Sequence, residues 1–118
     1  MKLSFNKRLQ EICNKKNNHL CIGLDIDPER FPSGRDTSLQ GMETFAKEVI
    51  DGTIDLCPAY KPNFAFYERF GSEGYALLER IVDYVRGRAI IIADAKRGDI
   101  SNTSKQYARA ILNTMGCD

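Results

Sequence analysis

The feature that most constrains the fold is a short apolar run, Ala89–Ala93, which lies between Gly87 and a group of charged residues. Three of its five residues are isoleucines, and β-branched side chains favour strands. A run without polar alternation is typical of a strand that is buried on both faces of a parallel sheet. This segment therefore predicts an α/β protein.

The charged group that follows this strand has the pattern Asp-x-Lys-x-x-Asp, with Asp94, Lys96 and Asp99. Because successive strand side chains point to opposite faces, Ile92, Asp94 and Lys96 are expected to share one face. Carboxyl ends of parallel strands are where α/β folds carry their chemistry. The pattern alone is equally compatible with a solvated ion-pair cluster at the end of a strand.

Two further strands are predicted, over residues 19–25 and 56–61, and each also ends in ionisable residues. Amphipathic segments alternate with the strands and are predicted to be helices, over about residues 6–15, 42–53, 72–87 and 101–114. In the last of these helices, four residues are predicted to face inward: Tyr107, Ala108, Ile111 and Leu112.

Three strands that alternate with helices predict βαβ units and a parallel sheet. A three-stranded sheet leaves two open edges, whereas a complete (β/α)₈ barrel needs about 250 residues. We therefore expect residues 1–118 to form a single partial domain, the N-terminal part of a TIM barrel.

Composition excludes several classes of function. The net charge of +1 gives no electrostatic basis for binding nucleic acid or a membrane surface. The four cysteines form no C-x-x-C pair, so a zinc site is not expected, and no apolar stretch reaches the ~20 residues of a membrane span. The sequence predicts a cytoplasmic protein with reduced thiols.

The strand-end residues suggest proton chemistry. Carboxylates on either side favour the charged form of Lys96, and a lysine kept as an ammonium is suited to donate a proton or to stabilise a carbanion. It is poorly suited to Schiff-base chemistry. Taken singly, Asp25 and Lys61 also fit ordinary turn roles, because each lies close to a proline.

Three segments in this order carry a specific resemblance: Leu24–Pro28, Tyr60–Glu68, and Asp94–Ile100 followed by Thr103. Together they resemble orotidine 5'-phosphate decarboxylase, in its longer bacterial subfamily. The resemblance implies a dimeric TIM barrel that converts orotidine 5'-monophosphate to UMP in de novo pyrimidine synthesis. It implies neither a metal nor an organic cofactor.

The resemblance also implies roles for individual residues. Lys96 would donate the proton to C6 of the pyrimidine, and Asp94 would lie near the substrate carboxylate. With Lys61 and with Asp99 from the neighbouring subunit, these two residues would form the family's catalytic set of four charged residues. Lys61 and Asp25 would also hold ribose hydroxyls. The remaining substrate-binding residues would be Asn63 and three residues that serve the neighbouring subunit's site: Asp99, Ile100 and Thr103.

Two alternatives remain open at this point. One is a sister enzyme of the same superfamily, such as 3-keto-L-gulonate 6-phosphate decarboxylase, which uses magnesium and has a glutamate where Lys61 stands here. The other is a small flavodoxin-like binding module without catalysis. The family's phosphate-binding loop lies in later strands, so we expect the 118-residue chain to be inactive alone.

Overall fold

The computed structural model describes residues 3–118, which form a three-stranded parallel sheet with the strands in chain order. The strands are β1 (Cys21–Leu24), β2 (Ala59–Pro62) and β3 (Ile90–Ile91). The predicted order of strands and helices is confirmed. β3 is shorter than predicted, but its pairing with β2 continues to Asp94, whose amide donates to the carbonyl of Pro62 at 3.1 Å.

Helices flank each strand in the sequence. They are α1 (Phe5–Lys16), α2 (Leu39–Thr53), α3 (Ala65–Glu68), α4 (Gly71–Val85) and α5 (Ser101–Ala108), with a 3₁₀ turn at Pro28–Arg30 and a π-helical segment at Arg109–Met115. The short α3 was not predicted. No helix between residues 3 and 118 has both the length and the apolar character that crossing a membrane requires.

The core lies between α2, α4 and the sheet face that carries Leu24, Tyr60 and Ile91, all of which are almost completely buried. The hydroxyl of Tyr60 lies 2.7 Å from that of Thr53 in α2. The hydroxyl of Tyr67 donates to the carbonyl of Leu24 at 2.8 Å. These tyrosines bury large apolar rings and still satisfy their polar ends, which fixes the sheet against α2 and α3.

The prediction for the last helix was wrong in its packing. Of the four residues predicted to face inward, Tyr107, Ala108 and Leu112 are exposed and Ile111 is only partly buried. Amphipathic spacing identifies a face that can be covered, but no further strand within residues 3–118 lies beside β3 to cover it. The change from α to π geometry at Arg109 also shifts the angular spacing on which an i, i+4 stripe depends.

Gly74 marks a close contact between α4 and the single turn of α3. A Cβ atom at Gly74 would lie 1.9 Å from the carbonyl oxygen of Tyr67, whereas a Cβ at Gly52 in α2 would meet nothing within 4 Å. Gly74→Ala is therefore expected to lower the free energy of unfolding by about 2 kcal/mol, because the helix must move away from the turn. Urea denaturation of the protein measures this change.

Gly52→Ala is the matched control, since it makes the same substitution at an open helical position. It is expected to raise the free energy of unfolding by about 0.5–1 kcal/mol through helix propensity. If Gly74→Ala proved as stable as Gly52→Ala, the tight packing at Gly74 would be refuted.

Candidate active site

The predicted site residues of the strands meet at the carboxyl edge of the sheet. In the register, Gly23 pairs with Lys61, and Asn63 forms a parallel bridge with Asp94. Neighbouring residues in a parallel register share a face, so Lys61 and Asp94 project from the face opposite the core. Asp25 follows β1 directly, at the same edge.

The centre of the site is the carboxylate of Asp94. It accepts a hydrogen bond from Lys96 Nζ at 2.6 Å and one from Lys61 Nζ at 3.4 Å. The Asp94 side chain is 23% exposed, compared with 72% for Lys96. One carboxylate thus lies between two ammonium groups, and this cluster carries one net positive charge at neutral pH.

The hydrogen bond from Lys96 is the main reason that the pKa of Asp94 lies below its ordinary value. Lys61 acts in the same direction, while desolvation opposes both lysines. Asp94 is therefore ionised at neutral pH. The cluster offers a fixed negative charge beside a solvent-exposed ammonium, together with a net attraction for an anionic ligand.

Lys96 has an unusual backbone conformation for a residue that carries a side chain. Its φ of 51° lies in the left-handed region, and among the described non-glycine residues only Asn17 shares this feature. Such a conformation costs about 1–2 kcal/mol. Strained residues concentrate at functional sites, where the surrounding structure holds them in place.

Besides Asp25, four predicted site residues lie outside this cluster. The carboxylate of Asp99 accepts from the amide of Ile100 at 2.7 Å, and the side chain of Ile100 is exposed. Thr103 lies in α5 and is half-buried. None of the ion pairs among residues 3–118 joins Asp99 to Lys61 or Lys96. The fourth outlying residue, Asn63, accepts from the amide of Ala65 at the start of α3.

Sequence reasoning overlooked Arg97. Its guanidinium forms an ion pair with Glu68 at the end of α3 and donates to the carbonyl of Ala95. The only available signal was its place inside the Asp-x-Lys-x-x-Asp motif, beside Lys96.

The described residues contain no group of three or more His, Cys, Asp or Glu side chains arranged to hold a metal ion. Parallel βα units whose charged side chains gather at the carboxyl edge of the sheet are typical of α/β barrels. Residues 18–118 match the sequence profile of the Orotidine 5'-phosphate decarboxylase / HUMPS family. The chain belongs to this family.

Curated relatives align with nearly the whole chain. The orotidine 5'-phosphate decarboxylase of Thermomicrobium roseum is 43% identical over 116 residues, and the match covers 98% of this chain and 41% of the relative. That of Parabacteroides distasonis is 44% identical over 115 residues, with 95% and 41% covered. This chain therefore spans about two fifths of the length of these relatives.

Solved structures have the same fold as this chain. The OMP decarboxylase of Leishmania donovani superimposes with a TM-score of 0.81 at 33% identity, covering 98% of this chain and 42% of that one. The UMP synthase of the same organism gives a TM-score of 0.83 at 33% identity, covering 98% and 24%. The prediction that the fold is the N-terminal part of this family's barrel is confirmed. A flavodoxin-like module is disfavoured by the same findings.

Proposed function

We propose that the complete protein, the polypeptide of family length that carries residues 1–118, decarboxylates orotidine 5'-monophosphate to UMP in de novo pyrimidine synthesis. The observation that carries the proposal is the Asp94 carboxylate held between Lys96 and Lys61, at 2.6 and 3.4 Å. The names of the relatives support the substrate. The enzyme is a carbon–carbon lyase that needs no cofactor.

In the proposed reaction, the bond between C6 and the substrate carboxylate breaks, carbon dioxide leaves, and the electron pair remains on C6. Lys96 Nζ then gives its proton to C6 and regains one from solvent. The sp² carbanion has no neighbouring carbonyl to delocalise it, so a preorganised ammonium is the main electrostatic stabiliser. One lysine does not supply the roughly 8–23 kcal/mol by which enzymes lower barriers, so binding of the remote phosphate also contributes.

The other strand-end residues bind and orient the substrate. Asp94 faces the substrate carboxylate, and its negative charge both orders Lys96 and disfavours the carboxylated ground state. Lys61 and Asp25 hold ribose hydroxyls, with Asn63 beside them. The positions of these three residues support the proposed roles, because they share the carboxyl edge of the sheet with Asp94.

The active enzyme is proposed to be a homodimer with shared sites. Asp99, Ile100 and Thr103 serve the neighbouring subunit, and Ile100 supports this role because its apolar side chain is 71% exposed within one chain. A cytoplasmic location completes the proposal. It is supported by the four cysteines, which are free thiols.

The decisive test is turnover of orotidine 5'-monophosphate by the complete protein with and without excess EDTA, followed as UMP formation. Equal rates are expected under the two conditions. Lys61 supports this expectation, because an ammonium at the end of β2 repels a divalent cation. Magnesium-dependent turnover of 3-keto-L-gulonate 6-phosphate, without UMP formation from orotidine 5'-monophosphate, would overturn the proposal in favour of the sister enzyme.

A further inference from the structure

We infer that Arg97 is the positioning residue for Lys96, and that its contacts hold the turn between Asp94 and Asp99 in the shape that brings Lys96 Nζ to the carboxylate. This inference deepens the proposed function and rests on it for its catalytic consequence. That Arg97 holds Lys96 in position does not depend on which substrate binds.

The polar contacts of Arg97 connect the turn to a neighbouring element. Its Nη1 donates to the carbonyl of Ala95 at 3.1 Å, and its Nη2 forms an ion pair with Glu68 at the end of α3. Arg97 and Ala95 are the two chain neighbours of Lys96. The guanidinium therefore bridges the two sides of the turn that contains Lys96, and its ion pair links this turn to α3.

The guanidinium of Arg97 also lies over two aromatic rings. Its central carbon lies 5.4 Å from the centre of the Phe64 ring and 5.8 Å from that of the Tyr107 ring. The Arg97 side chain is only 24% exposed as a result. A planar, delocalised cation makes such ring contacts and forked hydrogen bonds at the same time, which a lysine does not.

Lys96 has few contacts of its own to hold it. Its side chain is 72% exposed, and the hydrogen bond to Asp94 is its one side-chain hydrogen bond among the described residues. Its left-handed φ of 51° is unfavourable for a lysine. The turn on its other side is already fixed, because the amide of Phe64 donates to the carbonyl of Asp94 at 3.0 Å. Arg97 supplies the restraint that Lys96 lacks.

The functional test is Arg97→Met in the complete protein, which keeps an unbranched side chain but removes the charge and the hydrogen bonds. We expect kcat to fall on the order of 10- to 100-fold, because small misplacements of a reacting group carry losses of this size. KM for orotidine 5'-monophosphate is expected to stay nearly constant. Arg97→Lys should recover part of kcat through its ion pair with Glu68.

Arg88→Met is the matched control. Arg88 also lies over an aromatic ring, that of Tyr84 at 4.7 Å, and donates to a backbone carbonyl. It precedes β3, at the opposite edge of the sheet from the site. Its removal is expected to leave both kcat and KM unchanged.

The structural test is the pKa of the Asp94 carboxyl in Glu68→Gln, measured by ¹³C NMR. The charged groups that face Asp94 are Lys96 and Lys61. Removing the negative charge of Glu68 would by itself lower the pKa of Asp94. Release of Arg97 would instead loosen Lys96 and raise the pKa. The two explanations therefore predict opposite signs, and we expect a rise.

These measurements test the proposed decarboxylation and the positioning role of Arg97 separately. If the unaltered complete protein does not form UMP, the proposed function fails, and the sign of the shift in Glu68→Gln still decides the role of Arg97. If UMP forms and Arg97→Met keeps full kcat, the positioning role is overturned. A lowered pKa of Asp94 in Glu68→Gln would also overturn it.

Discussion

Lys96→Ala in the complete protein is expected to lower kcat for decarboxylation by about 10⁴-fold. General acids contribute typically 10²–10⁴-fold, and the loss of a preorganised electrostatic donor costs about 10²–10³-fold. Both contributions are assigned to the same ammonium, which lies 2.6 Å from Asp94. Steady-state assays of UMP formation measure the loss.

Two further variants make this result specific. Lys7→Ala changes an exposed lysine in α1 and should leave kcat unaltered. Lys96→Arg keeps a positive charge but does not release a proton at neutral pH, so it should remain strongly impaired. Near-normal turnover by Lys96→Ala would remove Lys96 from the mechanism altogether.

Mixing the inactive variants Lys96→Ala and Asp99→Ala should restore activity, which is the second large effect. If Asp99 serves the neighbour's site, each hybrid dimer has one site with both residues intact and one with neither. Random exchange of equal amounts makes half of the dimers hybrid, so about a quarter of the wild-type activity is expected. The increase should develop at the rate of subunit exchange.

A pairing of Lys96→Ala with Asp94→Ala provides the control. These two residues are within 2.6 Å of each other in one chain, so no hybrid dimer regains a complete site. Mixtures of Lys96→Ala with Asp99→Ala that exchange subunits but stay inactive would refute the shared site.

Sequence reasoning predicted the strand order and the charged edge because both follow from local patterns. The apolar run before Asp94 marks a strand, and the parallel arrangement then brings Lys61 and Asp94 to one edge. The predicted proximity of Asp94 and Lys96 is also confirmed, at 2.6 Å. Its predicted cause, strand alternation continuing to Lys96, is wrong, because Lys96 has a left-handed backbone on a turn after the strand. The catalytic roles of these residues stay predictions.

Other features depended on contacts that no local pattern contains. The left-handed conformation of Lys96 is unexpected for a residue that is not glycine. The ion pair of Arg97 with Glu68 spans 29 residues of sequence. The predicted packing of the last helix was wrong because an amphipathic face does not reveal whether a partner is present. Tyr107 in α5 and Leu112 in the π-helical segment are exposed.

Two backbone hydrogen bonds attach Asp94 to the sheet, whereas Lys96 lies outside it. The Asp94 amide donates to Pro62 and its carbonyl accepts from Phe64, so the carboxylate is part of the sheet, while Lys96 lies on a turn outside the ladder. The position of the Asp94 carboxylate is therefore set by the sheet, and the position of the Lys96 ammonium is set by the turn. The contacts of Arg97 with Ala95 and Glu68, which hold this turn, therefore decide where the ammonium lies relative to a carboxylate that the sheet already fixes.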